Sequence, residues 1–259
     1  MTTIRFATTA DAGPIVALMK AAYDPKVLDV TIYGCDGIAQ YLTAQLTLPP
    51  SLADTHYLVA DNDGVLMGFT ELRQVGTTIF VNYICTAADS RGAGIAQAML
   101  RDGIRMVQRV NHASVSLDVF HDNTHARQWY RRLGFVPVGQ TAWWGIHLAP
   151  VGAVPGCLSA YAQAEACQRA YGFSSFTVAT SAGNYTIGKL GTQWFRTNDA
   201  TLLHDEEALA SLMVLDPNRQ LLALLPLEQP YAHHHAAILH FSERLSIEIG
   251  ALFARFGSH

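Results

Sequence analysis

Charge is scarce in this 259-residue chain. Only 15% of its residues are Asp, Glu, Lys or Arg, and the 17 basic residues are outnumbered by 21 acidic ones. A net charge of −4 excludes the broad basic face that a nucleic-acid-binding surface needs. Cysteine is scarce too. Cys35, Cys85, Cys157 and Cys167 form no Cys-x-x-Cys pair, which excludes a zinc or redox motif and, in a chain this long, a disulfide scaffold. They read as reduced, small hydrophobes. No apolar run approaches the ~18 residues that span a bilayer, and Met1 to Phe6 lacks the basic-then-apolar order of a secretion signal. The expectation is a soluble, cytoplasmic protein with no nucleic-acid or membrane partner. The run His233-His-His235, with His240 beyond it, does not change this. Consecutive histidines in one local conformation cannot converge on one ion, and no acidic or thiol partner sits at ligand spacing, so no metal is expected.

What is present is an apolar half, enough for one large domain or two small ones. Ala149-Pro-Val-Gly-Ala-Val-Pro-Gly156 disfavours both helix and central strand, and predicts a boundary between a domain at 1–149 and a smaller α+β domain at 150–259. In the first, Ile4 to Ala7 reads as a strand and Asp11 as the cap of a helix. His56 to Ala60, Val65 to Arg73 and Thr78 to Thr86 read as an antiparallel meander separated by Asp61-Asn-Asp-Gly64 and Gln74-Val-Gly-Thr77. A helix follows Gly92 and Gly94, then a strand at Ser114 to Phe120 and a helix at Thr124 to Leu133 bracketed by Asn123 and Gly134. Two short strands, Phe135 to Val138 and Ala142 to Leu148, close it. In the second domain a helix at Leu158 to Tyr171 precedes strands at 175–179, 184–189, 193–196 and 220–225. Asp205-Glu-Glu207 reads as an acidic first turn. Ile238, Phe241, Leu245, Ile249, Leu252 and Phe256 repeat at three and four, predicting an amphipathic helix, with dimer contact as an alternative role.

The chemistry concentrates at Ile84-Cys-Thr-Ala-Ala-Asp-Ser-Arg-Gly-Ala-Gly-Ile-Ala96, a strand running through a glycine loop into a helix. Residues 91–96 fit [Q/R]-x-x-G-x-[G/A]. Glycines let a backbone approach a bulky anion, and the free N–H groups opening a helix then bind it. Some twenty residues beyond that loop comes Leu117-Asp-Val-Phe-His-Asp-Asn-Thr-His-Ala-Arg-Gln-Trp-Tyr-Arg-Arg-Leu-Gly-Phe135. In order and separation the two segments resemble the two signatures of the GNAT superfamily of acyl-CoA-dependent N-acyltransferases, over about residues 3–148.

The resemblance implies an α/β domain with a mixed, mostly antiparallel sheet flanked by helices. Acetyl-CoA or another acyl-CoA would be co-substrate. Main-chain groups of Ile84, Cys85 and Thr86 would pair with the pantetheine arm where the fourth and fifth strands splay. The backbone of Arg91, Gly92, Ala93, Gly94, Ile95 and Ala96 would hold the pyrophosphate, Asn123 would touch the cofactor, and Tyr130 would be the general acid. Between positions 91 and 132 stand seven Arg and three Asp with no Lys or Glu, about +4, a field that suits phosphates. The reaction implied is direct transfer. A deprotonated amine attacks the thioester, a main-chain N–H stabilises the oxyanion, and Tyr130 protonates the leaving thiolate. Glu71, Asp118, His121 and water all remain open as the base. A small-molecule amine is the preferred acceptor. Rival readings are a protein lysine or N-terminal acetyltransferase and a non-catalytic acyl-CoA-binding module. A homodimer is left open. The second domain's order of elements, and the echo of Tyr130 to Phe135 in Ala170-Tyr-Gly-Phe173, allow a degenerate copy of the first. It contains no second [Q/R]-x-x-G-x-[G/A], so it would not bind CoA in the same way.

Overall fold

The computed structural model describes residues 2–228 and 236–257. In chain order its elements are β1 (Thr3–Phe6), α1 (Ala12–Ala22), α2 (Pro25–Leu28), α3 (Ile38–Gln45), β2 (Thr55–Asn62), β3 (Val65–Val75), β4 (Thr78–Thr86), α4 (Ile95–Val107), β5 (Ser114–Phe120), α5 (Thr124–Arg132) and β6 (Val136–Ile146). There follow β7 (Cys157–Ser159), α6 (Tyr161–Tyr171), β8 (Phe173–Ala179), β9 (Asn184–Leu190), β10 (Trp194–Thr197), α7 (Glu206–Leu215), β11 (Gln220–Pro226), β12 (Ala236–Glu248) and α8 (Ile249–Phe256). No helix among the described residues is long and apolar enough to cross a membrane.

Two compact units result. Among the described residues the first holds 2–24, 39–139 and 243–257, and the second holds 25–38, 140–228 and 236–242. The Pro- and Gly-rich stretch 149–156 therefore lies inside the second unit. Apart from the excursion of 25–38 into the second unit, the chain passes between units within β6 and again within β12, in extended backbone. The two short strands expected at 135–138 and 142–148 are one continuous strand, β6, because Gly139 to Thr141 stay extended.

In the first unit β1, β2, β3 and β4 form an antiparallel ladder and β5 runs parallel to β4. The last part of β12 lies beside β5. Ile249 N–H donates to Ala113 O (3.0 Å), Ser116 Oγ meets Ser246 Oγ (2.9 Å) and Arg244 reaches Asp118 (2.6 Å), so the two strands are antiparallel. Helix α4 packs its apolar stripe, Leu100, Ile104 and Val107, on Leu58, Leu72, Ile79 and Val81. Gly103 allows the close approach, since a Cβ there would stand 3.3 Å from Leu72. Asp11 does not cap α1. It accepts instead from Thr8 N–H (2.7 Å) and from Arg5 (2.7 Å), one turn upstream.

The amphipathic helix expected from Ile238 to Phe256 is corrected: 236–248 is strand and only Ile249–Phe256 is helix. The spacing of three and four arises because Leu245 and Ile249 also belong to a period-two set. Leu245, Ile247 and Ile249 are all buried, whereas Ile238, Leu239 and Phe241 are each 39% exposed. Buried Leu245, Ile247, Ile249, Leu252 and Phe256 belong to the same apolar core as α4 and β5.

In the second unit β7 pairs antiparallel with β8, β8 with β9 and β9 with β10, β11 runs parallel to β10, and the later part of β6 pairs antiparallel with β11. The order β7-α6-β8-β9-β10-α7-β11, with this pairing, repeats the order β1-α1-β2-β3-β4-α4-β5 of the first unit. The Tyr171-Gly172-Phe173 echo marks no equivalent element. Gly172 and Gly134, at φ +81° and +93°, each simply stop a helix.

Because the first unit's core draws on residues 245–256, Leu252→Ala, at a fully buried site, is expected to cost about 2–5 kcal/mol in urea unfolding of the whole chain. A fragment ending at residue 149 is expected to show no cooperative transition. Cooperative unfolding of that fragment would show that the first unit does not need the C-terminal strand and helix.

Candidate active site

The site begins with a register fault. Glu71 pairs with Tyr83 but Leu72 pairs with Val81, so Asn82 is an extra residue in β4, a bulge. Before it the inward residues are Ile79 and Val81. After it Ile84 takes the inward phase against the same core, while Tyr83 and Cys85 turn to the opposite face. On that face Cys85 Sγ lies 3.6 Å from Met19 Sδ of α1, and the rings of Tyr23 and Tyr83 meet edge to face at 6.2 Å.

Pairing between β4 and β5 ends at the same place. It runs from Thr78–Ser114 to Val81–Leu117 and stops, so the strands fork at Asn82. Which main-chain groups face the opening follows from the ladder. Ala87 N–H donates to Met67 O (2.9 Å), which makes residues 85 and 83 the ones hydrogen-bonded to β3 and turns N–H and C=O of Ile84 and Thr86 toward the open edge. Of the three residues expected at this strand, Cys85 thus presents its main chain to β3, and Ile84 and Thr86 present theirs to the fork. Tyr23, which nothing in the sequence singled out, donates its hydroxyl to Ile84 O at 3.2 Å.

Beyond the fork the chain makes the glycine loop. Gly92 and Gly94 have φ of +81° and +77°, and a Cβ on either would meet nothing within 4 Å. Their glycine is required by backbone conformation, not by crowding. Gly94 precedes α4, whose first described backbone bond is Ala98 N–H to Gly94 O (2.9 Å). The amides of Ile95, Ala96 and Gln97 precede that bond and point out of the helix end. Gly92, Ala93 and Gly94 are exposed beside them. The loop thus leaves main-chain N–H groups at the positive end of a 13-residue helix with no side-chain cap.

The equivalent connection in the second unit, between β10 and α7, is built in the opposite sense. Asp205 caps α7 by accepting from Ala208 N–H (3.1 Å) and also takes Thr180 Oγ1–H (2.6 Å). Glu207 accepts Ser181 N–H (3.0 Å) and Oγ–H (2.6 Å). The expected acidic first turn is there, and it places the chain's own carboxylates where the first unit leaves amides open.

Asn123 is an N-cap, accepting from Ala126 N–H at 3.1 Å, and sits exposed at the start of α5. Tyr130, on the same helix, is 5% exposed with Trp129 and Phe135 against its ring. Burial raises its pKa above the ordinary phenol value, and burial first, then Cys85, Tyr130 and Tyr83, does the same for Tyr23. Burial also pushes the Cys85 thiol up to about 12. Tyr130, Tyr23 and Cys85 are therefore neutral, protonated groups around the fork.

The three protein candidates for the base differ in setting. His121 is exposed. Asp118 is exposed and paired with Arg244 at 2.6 and 2.7 Å. Glu71 is 1% exposed, and its Oε1 accepts from Asn82 Nδ2 (2.8 Å) and from Arg73 Nε (2.8 Å) and Nη2 (2.7 Å). Arg73 also lines a cavity of about 290 Å³ with Tyr41, Asp54, Thr55 and Tyr57. The local charge of +4 is smaller than the sequence count. Arg127 and Arg131 share buried Glu243, brought by β12, and Arg101 and Arg105 pair with Asp102, leaving Arg91, Arg109 and Arg132 without a carboxylate among the described residues. Trp143, in the second unit, is buried with its Nε1–H on Ser242 Oγ (3.0 Å). Among the described residues no three His, Cys, Asp or Glu are placed to hold a metal ion; His233 to His235 lie outside those residues.

Residues 31–135 match the model of the Acetyltransferase (GNAT) family. A search of curated proteins returns no match. Among solved structures the chain is similar to a tandem GNAT protein from the clavulanic acid biosynthesis pathway, at 12% identity and TM-score 0.65 over 96% of this chain and 98% of that one. A GCN5-related N-acetyltransferase from Sphaerobacter thermophilus gives 14% identity and TM-score 0.62 over 96% of both chains. A putative acetyltransferase from Pyrococcus horikoshii gives 12% identity and TM-score 0.65 over 95% of this chain and 89% of that one. At such identities these likenesses speak to fold. Residues 31–135 thus carry the likeness to a GNAT acetyltransferase domain.

Because open space surrounds Gly94, Gly94→Ala is expected to cost only the left-handed strain, about 1–2 kcal/mol, read by thermal unfolding. A loss well above that range would mean the loop is packed against something the geometry does not show.

Proposed function

We infer that the chain moves an acetyl group from acetyl-CoA to the primary amine of a small molecule, by direct attack, at the fork of the first unit. The observation that carries this is the alignment of two main-chain features on one strand-loop-helix. The open edge at Ile84 and Thr86 offers N–H and C=O groups to an amide-bearing arm as an added strand does. The amides of Ile95, Ala96 and Gln97 that open α4, beside exposed Gly92 and Gly94, then offer a pyrophosphate its donors. The fit of acetyl-CoA rests on those open amides and on two glycines with nothing in their Cβ space.

Each residue's part follows from its state. Tyr130, held neutral by burial, has a proton to give and is assigned as the acid that protonates the departing thiolate. A thiol pushed up to about 12, as Cys85 is, is a poor nucleophile at neutral pH. That supports direct transfer over an acyl-cysteine route. Asn123, exposed at the mouth of α5, is free to touch the cofactor while it caps the helix. The cavity lined by Tyr41, Tyr57, Arg73 and Asp54 is of small-molecule size, and this supports a small amine over a polypeptide. The second unit, its helix end satisfied by Asp205 and Glu207, is read as a GNAT-like copy that does not take acyl-CoA.

Calorimetry with acetyl-CoA is expected to give one site per chain. Two sites would refute the assignment of the second unit, and none would refute the function. Tyr130→Phe is expected to keep acetyl-CoA affinity within about twofold and to lower kcat by about 10²–10⁴-fold. Since burial raises the phenol's pKa, wild-type rate is not expected to fall through phenol ionisation as pH rises toward 10. An unchanged kcat in Tyr130→Phe would remove it from the mechanism.

A further inference from the structure

A carboxylate 1% exposed in the middle of a sheet needs a reason. As a base, Glu71 would need lone pairs open to an incoming proton. Its Oε1 instead accepts from Asn82 Nδ2 and from Arg73 Nε, both at 2.8 Å, with Arg73 Nη2 ion-paired to it at 2.7 Å. One donor belongs to the bulged residue itself, and Glu71 is the residue that faces Tyr83 at the step where the register changes.

We propose that Glu71 is a positioning residue, not the base: its carboxylate pins the side chain of Asn82, fixes the bulge, and so holds β4 and β5 apart at the fork. The proposal rests on the reading that acetyl-CoA binds there, but its physical core does not. A bulge leaves one residue without a partner opposite it. Unless that residue is held, the strand can slip by one, which flips every side chain beyond it. For β4 the slip would return Tyr83 to the inward phase, carry Cys85 with it, and let the strand continue its pairing with β5 past Val81. The bond from Asn82 to Glu71 exists only in the bulged register. Arg73 supplies the charge that lets a carboxylate stay buried there. It extends from the same oxygen to the wall of the small cavity, so the lock and the cavity share one guanidinium.

Three measurements test this. Hydrogen exchange at the amides of Ile84 and Thr86, with no ligand present, is expected to be fast in wild type and at least about tenfold slower in Asn82→Ala and Glu71→Ala as the strands close. In acetyl-CoA calorimetry each of these variants is expected to lose about tenfold in affinity. The double variant should lose no more than the worse single, because both break one link. Glu71→Gln, whose amide oxygen still accepts from Asn82, is expected to lose about threefold or less and to keep the acid limb of kcat/KM where wild type has it. A base gives the opposite pattern: Glu71→Gln loses the acid limb and about 100-fold or more in kcat, while Asn82→Ala leaves exchange and affinity alone. Either that pattern or additive losses in the double variant overturns the proposal. Should wild type bind no acetyl-CoA, the functional reading fails and the exchange result still decides the lock. Should Glu71→Ala not fold, Asn82→Ala, at a half-buried site, decides it alone.

Discussion

One residue too many in β4 governs the rest of the first unit. A parallel pair of strands normally continues as long as its backbones stay in register. Here the extra Asn82 breaks the register after Val81, and everything chemical lies downstream: the open edge at Ile84 and Thr86, the glycine loop, and the helix end. The same fault rotates Tyr83 and Cys85 onto the face where α1 places Met19 and Tyr23. A single local irregularity therefore creates a gap between strands and furnishes its rim with protonated side chains. It does so in a sheet whose other ladders supply the rigidity that keeps a gap from closing.

The second constraint is electrostatic, and the two units make it visible by contrast. Both run a strand through a connection into a helix at the same point of the same topology. In one, residues 91–94 offer no side chain to the helix end, and its amides and partial positive charge face outward. In the other, Asp205 and Glu207 take up that charge and lock the connection to Thr180 and Ser181. A helix N-terminus can stabilise an internal carboxylate or an external anion, but the same amides cannot do both. The internal choice gives a tighter unit, and the external one leaves unsatisfied donors that only a ligand completes.

Local features were legible in the sequence where local physics decides them. The meander, the strand at 114–120, the brackets at Asn123 and Gly134, the acidic turn at 205–207 and the glycine loop follow from alternation, turn chemistry and capping, each contained within about ten residues. What was illegible is whatever depends on a partner far along the chain. Tyr23 lies 61 residues from the carbonyl it meets, and its position at the end of α1 carries no mark of that. The seven arginines of 91–132 looked unbalanced because Glu243, which pairs with two of them, arrives from β12. Leu245 and Ile249 satisfied a helix period and a strand period at once, and only the buried Ile247 between them separates the readings. Asn82 did leave a trace, a polar residue interrupting an apolar strand, though alternation alone could not tell a bulge from a surface position.

The same long-range dependence explains why the division of the chain escaped a reading based on proline and glycine. Linkers rich in those residues mark places where a chain has no sheet to belong to. Apart from the excursion of 25–38, the chain changes units without leaving extended structure, inside β6 and inside β12, so these two crossing points need strand formers. The first unit is then completed by residues about 130 positions beyond the strand they join, as Ser116 and Ser246 show. Closing so long a loop carries an entropic cost that grows only logarithmically with its length, and the buried face of β12 and α8 offsets it. Such pairing forms late, because non-local strands reward the chain only after closure. Until β12 arrives, β5 has an open edge on the side away from the fork, and the apolar faces of Val115, Leu117 and Val119 lack part of their cover. The fork and the final strand thus lie on opposite edges of β5: one edge is left unpaired after Val81, and the other is paired, which gives that opening a stable wall.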